Sequence, residues 1–116
     1  MKLPINTKVV LFDMDGVLLN TEDLSHRVFE SIAKKFGSTF DEADHVNIIG
    51  TKNLFWTSYL IQKWSLKKSQ QEMSKLFWDE FLNSSYSQLA LMPGTREIFE
   101  NLDKNNIMKC LVTGSP

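Results

Sequence analysis

The sequence predicts an α/β fold: part of a doubly wound parallel core, interrupted by an inserted block of α-helices. Three observations carry this reading. Two dense apolar runs, Val9–Phe12 and Ile107–Val112, read as strands. Between them the apolar residues recur at helical spacing. The order strand, helices, helix, strand suits helices layered on a parallel sheet. The helical stretch is too long for one crossover, so it reads as a cap. The division is then a first core segment over 1–18, a helical cap over 19–88 and a return to the core over 89–116.

Val9-Val10-Leu11-Phe12 is β-branched and aromatic without alternation, as expected of a strand buried on both faces. Asn20 or Thr21 is placed to cap a helix over about 21–36, with Glu22 and Asp23 in its first turn and Gly37 just beyond its end. Leu24, Val28, Ile32 and Phe36 recur every four residues along it, widened by Phe29 and Ala33. Residues 41–49 form a short helix or turn ending at Gly50, and a further helix covers roughly 53–64. Another starts at Ser65 or Ser69 and runs to about 83, with Ser69 and Glu72 spaced as a capping box. The polar run Ser84-Ser85-Tyr86-Ser87-Gln88 is expected to be a hinge. Pro93-Gly94 opens a helix over about 95–104, which Asn105-Asn106 ends before the second strand.

Composition narrows the functional classes. The chain has 116 residues, 42% of them hydrophobic and 23% charged, the balance of one ordinary globular domain. Thirteen basic against fourteen acidic residues give a net charge of -1, which argues against nucleic-acid or anionic-membrane partners. The single Cys110 excludes an internal disulfide and a cysteine zinc site, and points to a reducing, cytoplasmic compartment. No signal peptide or apolar run of spanning length is visible.

The chemistry concentrates in Asp13-Met14-Asp15-Gly16, at the C-terminal end of the first strand. Ligands bind at that edge of open α/β sheets. Two carboxylates one residue apart repel unless a cation lies between them or one keeps its proton. Oxygen ligands suit Mg²⁺, and one carboxylate can attack an electrophile while its neighbour moves protons. A solvated turn gives the same string. An EF-hand calcium loop does not, because the position that needs Glu is Leu24.

The longer string Phe12-Asp13-Met14-Asp15-Gly16-Val17-Leu18-Leu19-Asn20-Thr21 resembles the first motif of the haloacid dehalogenase-like (HAD) superfamily. Cys110-Leu111-Val112-Thr113-Gly114-Ser115 resembles its second motif, and Leu91-Met92-Pro93-Gly94-Thr95 its return from cap to core. The nearest likeness is to the branch of β-phosphoglucomutase-like proteins and pseudouridine-5′-phosphatases. The resemblance implies that Asp13 is a nucleophile forming an aspartyl-phosphate. It makes Asp15 the acid that protonates the leaving oxygen and then the base that activates water. Mg²⁺ would be held by the Asp13 carboxylate and the Asp15 backbone carbonyl. Thr113 and the N–H groups of Gly114, Met14 and Asp15 would bind the phosphoryl oxygens. Asp15 favours a phosphatase of a small phosphorylated metabolite, a sugar or nucleotide monophosphate, over a dehalogenase. A phosphomutase and a catalytically inert truncated product are the alternatives. Asn20 departs from the branch pattern, where Asp is common.

The superfamily's downstream lysine and further acidic pair have no counterpart before Pro116, so the chain reads as an N-terminal portion, expected to be inactive alone. Lys52, after Gly50-Thr51, is a candidate contact to an anionic substrate or else a solvated lysine at a helix start. His26 and His45 are expected to be structural or surface residues. The sets Phe55, Trp56, Tyr59, Trp64 and Phe77, Trp78, Phe81 are expected to form cap core, and Cys110 a buried strand position.

Overall fold

The computed structural model describes residues 2–115, apart from the Tyr86 side chain; Met1 and Pro116, the expected outer limits of the core segments, lie outside them. The elements run β1 (Val9–Asp13), α1 (Thr21–Lys35), α2 (Glu42–Ile48), α3 (Asn53–Lys63), α4 (Gln70–Gln88), α5 (Thr95–Lys104) and β2 (Met108–Val112). The class is α/β with a parallel sheet, as the sequence predicts. Two compact units result. One combines the chain up to Thr21 with the chain from Leu89 onward; the other is Glu22–Gln88.

In the first unit β1 and β2 pair in parallel, from Val9 opposite Met108 to Asp13 opposite Val112. Strand alternation puts Val10 and Phe12 on the face covered by α5. Phe12 is buried there, its ring edge-on to Phe99 at 5.2 Å, and Leu102 is fully buried. The expectation of a strand buried on both faces is corrected: on the other face Leu11 and Met108 are each 65% exposed, with Val9 and Val112 also open. The physical reason is the period of two, since α5 covers one face only and the described residues supply nothing for the other. Cys110 is likewise half-buried, not buried.

Where the chain leaves this unit and where it returns, the two passes are stapled together. The Asn20 N–H donates to the Ala90 carbonyl at 3.0 Å, and the Ala90 N–H to the Asn20 Oδ1 at 2.7 Å. The Met92 N–H donates to the Leu18 carbonyl at 2.8 Å. Asn20, one of two residues expected to cap the helix, ties down the return segment. Gly94, with φ 86°, sits at the start of α5 in a left-handed conformation that suits glycine.

The second unit has its own core. Leu24, Val28, Phe29, Ile32 and Ala33 of α1 meet Phe40, Ile48, Leu60, Trp64, Met73 and Phe77. Phe29 is its aromatic centre, stacked on Phe77 at 4.5 Å and on Phe40 at 5.0 Å. Trp56, Tyr59, Trp78 and Phe81 pack around this cluster as expected, whereas Phe55 is 53% exposed. The predicted capping box at α4 is present: the Ser69 N–H donates to Glu72 at 2.6 Å and the Glu72 N–H to the Ser69 hydroxyl at 3.1 Å. Hydrogen bonds from the Ser69 N–H, foremost, and the Ser69 side chain hold the Glu72 carboxyl below its usual value. The expected hinge at 84–88 is instead the last part of α4. The Ser85 hydroxyl donates to the Leu82 carbonyl at 2.8 Å, so a polar side chain is satisfied within the helix.

A buried acid organises α2 and α3. Asp41 caps α2 in a box with Asp44, each side chain accepting the other's backbone N–H at 2.9 Å. Asp44 also accepts the Tyr59 hydroxyl at 2.8 Å and pairs with Lys63. Burial by itself raises the Asp44 carboxyl, but the bonds from Lys63, Asp41 and Tyr59 outweigh it and hold the group below its usual value. The same pairing raises the Lys63 ammonium.

A depressed folded-state carboxyl stabilises above its unfolded value and loses that contribution as pH falls through the folded value. Asp44→Asn should therefore cost roughly 1–3 kcal/mol at neutral pH, the scale of hydrogen bonds to a charged group. The gap between wild type and variant should close as pH falls through the carboxylate range and below it. Urea titrations of both proteins from pH 7 to pH 2 check this; a gap independent of pH contradicts it. Leu60 has no exposed surface, and Leu60→Ala should lower stability by about 2–5 kcal/mol in the same assay.

Candidate active site

β1 ends at Asp13, and the chain then turns back tightly. The Met14 carbonyl accepts the N–H groups of Val17, Leu18 and Leu19 at 3.3, 3.0 and 3.1 Å, and the Gly16 N–H donates to the Leu19 carbonyl at 2.9 Å. Gly16 has φ 72°, which a side chain would strain. The turn uses the groups of Met14 and Gly16, and leaves the Asp15 carbonyl between them out of its bridge to Leu19.

The register places Asp13 opposite Val112, so Thr113 follows on the neighbouring strand at the same edge. Asp13, Asp15, Thr113 and Gly114 thus belong to one unit and one end of the sheet. Asp13 is exposed, and its Oδ1 accepts the Met14 N–H at 2.8 Å. That N–H, expected to face a phosphoryl group, is engaged by the Asp13 carboxylate here. Thr113 and Gly114 are exposed, and a side chain at Gly114 would meet nothing within 4 Å. Lys52 is also exposed, at the start of α3, and belongs to the helical unit.

Asp15 differs from Asp13 in its surroundings. It is half-buried, and both its oxygens accept hydroxyls: Thr21 donates to Oδ1 at 2.8 Å and Ser115 to Oδ2 at 2.5 Å. Thr21 is itself 8% exposed. The Thr113 hydroxyl oxygen accepts the Ser115 N–H at 3.1 Å, which leaves its own proton to donate outward. Sequence reasoning singled out Thr21 only as a candidate helix cap and Ser115 only as part of a motif string, not as partners of Asp15. Both lie within the quoted motif strings, and the signal available was a hydroxyl at the end of each.

Among the described residues no group of three or more His, Cys, Asp or Glu side chains could hold a metal. The fit to Mg²⁺ is therefore through few oxygen donors. The Asp13 carboxylate and the unused Asp15 carbonyl suit a hard cation that keeps waters and takes substrate oxygens. His26 lies 3.5 Å from Glu30 and 3.9 Å from Glu42, with its ring 5.0 Å from that of His45, all in the helical unit. No helix of the described residues is long and apolar enough to cross a membrane.

Comparison with known proteins adds lineage to this geometry. A phosphorylated carbohydrates phosphatase of Thermotoga maritima is 29% identical over 109 residues, covering 94% of this chain and 50% of that protein. (DL)-Glycerol-3-phosphatase 2 of Arabidopsis thaliana is 30% identical over 107 residues, covering 91% of this chain and 45% of its own length. A Thermotoga maritima crystal structure assigned as a β-phosphoglucomutase superposes with a TM-score of 0.77 at 29% identity, over 95% of this chain and 51% of that one. The chain thus spans about half the length of the relatives it matches. The family model for haloacid dehalogenase-like hydrolases matches residues 10–115, which takes in all the helices, β2 and β1 from its second residue, and the chain belongs to that family.

Proposed function

We propose that the full-length protein is a Mg²⁺-dependent phosphatase of a small phosphorylated metabolite, a sugar or nucleotide monophosphate, working through an aspartyl-phosphate on Asp13. The observation that carries this reading is the parallel register, which brings an exposed carboxylate and an exposed hydroxyl, Asp13 and Thr113, to the ends of neighbouring strands. The phosphatase names of the relatives support the same class.

In this reading Asp13 attacks phosphorus, and Asp15 gives a proton to the departing oxygen and later takes one from water. The exposure of Asp13 suits a nucleophile that must meet substrate. Asp15, held by two hydroxyls, suits a group that must be aimed. Thr113 and the Gly114 N–H bind the phosphoryl oxygens, with the Met14 and Asp15 N–H groups. The Met14 N–H would exchange its bond to Asp13 for one to substrate. Mg²⁺, held by the Asp13 carboxylate and the Asp15 carbonyl, would supply charge neutralisation. The Glu22–Gln88 unit is the cap, and Lys52 its candidate contact to an anionic substrate. The lone Cys110 suits a reducing, cytoplasmic setting.

A phosphomutase is the second reading, favoured by the likeness to the assigned β-phosphoglucomutase. Product analysis separates the two: free phosphate released stoichiometrically supports the phosphatase, and an isomeric sugar phosphate the mutase.

Asp13→Asn should abolish turnover, because an amide is a poor nucleophile. Asp15→Asn should retain Mg²⁺ binding yet lose on the order of 10²–10⁴ in rate, the scale of a lost general acid or base. Its penalty in phosphoenzyme formation should shrink with an aryl phosphate, whose leaving oxygen needs little protonation. Rapid-quench kinetics of both variants, with a sugar phosphate and an aryl phosphate, test this. Near-wild-type turnover of Asp13→Asn overturns the nucleophile. Equal penalties for Asp15→Asn on both substrates overturn the leaving-group acid. Lys52→Ala should raise KM with kcat unchanged if that lysine meets ground-state substrate, and an unchanged KM removes it from the site.

A further inference from the structure

We infer that Ser115 is the positioning residue that aims the Asp15 carboxylate and at the same time orients the Thr113 hydroxyl. The inference rests on the phosphatase reading, in which Asp15 moves the protons and Thr113 binds phosphate.

The geometry supplies the argument. A carboxylate's terminal torsion is broad and nearly two-fold, so one hydrogen bond leaves the group free to rock about it. Asp15 has one partner on each oxygen. Thr21, six residues along the same pass of chain, holds Oδ1 at 2.8 Å. Ser115, one hundred residues away on the other pass, holds Oδ2 at 2.5 Å. The second bond removes the remaining rotation. It also links the acidic loop to the loop after β2, which no backbone bond of the β1–β2 register does beyond Val112.

The same residue acts on the phosphate side through its main chain. Its N–H occupies a lone pair of the Thr113 hydroxyl at 3.1 Å, and the Thr113 proton is left to point away from Ser115. Ser115 thus sets the direction of two groups at once: the side chain aims the acid, and the backbone aims the phosphate donor. Half-buried Ser115 next to exposed Thr113 and Gly114 fits this division, one residue turned toward the loop and two left open.

The two functions separate by substitution. Ser115→Ala removes the hydroxyl and keeps the N–H, so the acid loses its aim while Thr113 keeps its orientation. In the full-length protein Ser115→Ala should lower kcat for a sugar phosphate by about 10- to 100-fold, the range expected for one hydrogen bond to a charged group. KM should stay within roughly threefold, because uniform substrate binding is untouched. The loss should be much smaller for an aryl phosphate, and Ser115→Thr, which keeps a hydroxyl, should restore the rate. Crystal structures of wild type and Ser115→Ala give a readout that needs no turnover: the Asp15 carboxylate should be rotated in the variant. An unmoved carboxylate, an undiminished kcat, an equal loss on both substrates or a failure of Ser115→Thr to restore the rate would each overturn the inference. A wild-type protein that hydrolyses neither substrate would instead overturn the phosphatase reading, and the carboxylate comparison then decides the role of Ser115 by itself.

Discussion

The parallel pairing of β1 with β2 is the constraint on which the candidate site depends. Asp13 and Thr113 are one hundred positions apart in the sequence, and only the strand register makes them neighbours at one sheet edge. A slip of one residue would turn every side chain of β1 to the opposite face, moving Phe12 off α5 and Asp13 away from its edge. Parallel strands require a long crossover, and this chain uses a whole helical unit and α5 for it. The closure cost of so long an excursion grows only slowly with its length. The bonds between Asn20 and Ala90 and between Leu18 and Met92 pin its two ends together. The register therefore rests on contacts inside the sheet-containing unit.

The helical unit is held by different forces. Its aromatic and aliphatic core, centred on Phe29, buries side chains from all four of its helices or the turns beside them. The Asp44 network adds directional bonds among α2, α3 and their cap. The core side chains of this unit therefore act on stability, whereas those at the ends of β1 and β2 are exposed or half-buried and open to the chemistry proposed for them.

Much of this was legible in the sequence, because the signals are local. Strand runs, four-residue spacing, glycine stops and the Ser69–Glu72 box depend on neighbours within a turn or two, and each element appears within a few residues of its expected place. The strand ending in Asp13 and the one leading to Thr113 were legible for the same reason. What was not legible depends on what lies across space. The apolar run Val9–Phe12 could not reveal that only one of its faces is covered. The serines at 84–88 read as a hinge, because side-chain polarity alone does not tell a loop from a helix whose hydroxyls bond back to its own carbonyls. Asp44 resembles any acid in a helix's first turn until Tyr59 and Lys63 meet it. The clamp on Asp15 joins residues 15, 21 and 115, a pairing that no sequence period encodes.

The central claim is that the carboxylate at the end of β1 is a covalent nucleophile. The most direct test traps the intermediate. The full-length protein, carrying Asp15→Asn so that the phosphoenzyme persists, is quenched during turnover of an aryl phosphate, treated with hydroxylamine and mapped by peptide mass spectrometry. An acyl phosphate is converted to a hydroxamate, so modification at Asp13, dependent on substrate, is the predicted result. Substrate turnover with no modification at Asp13, or with modification at another residue, would contradict the account.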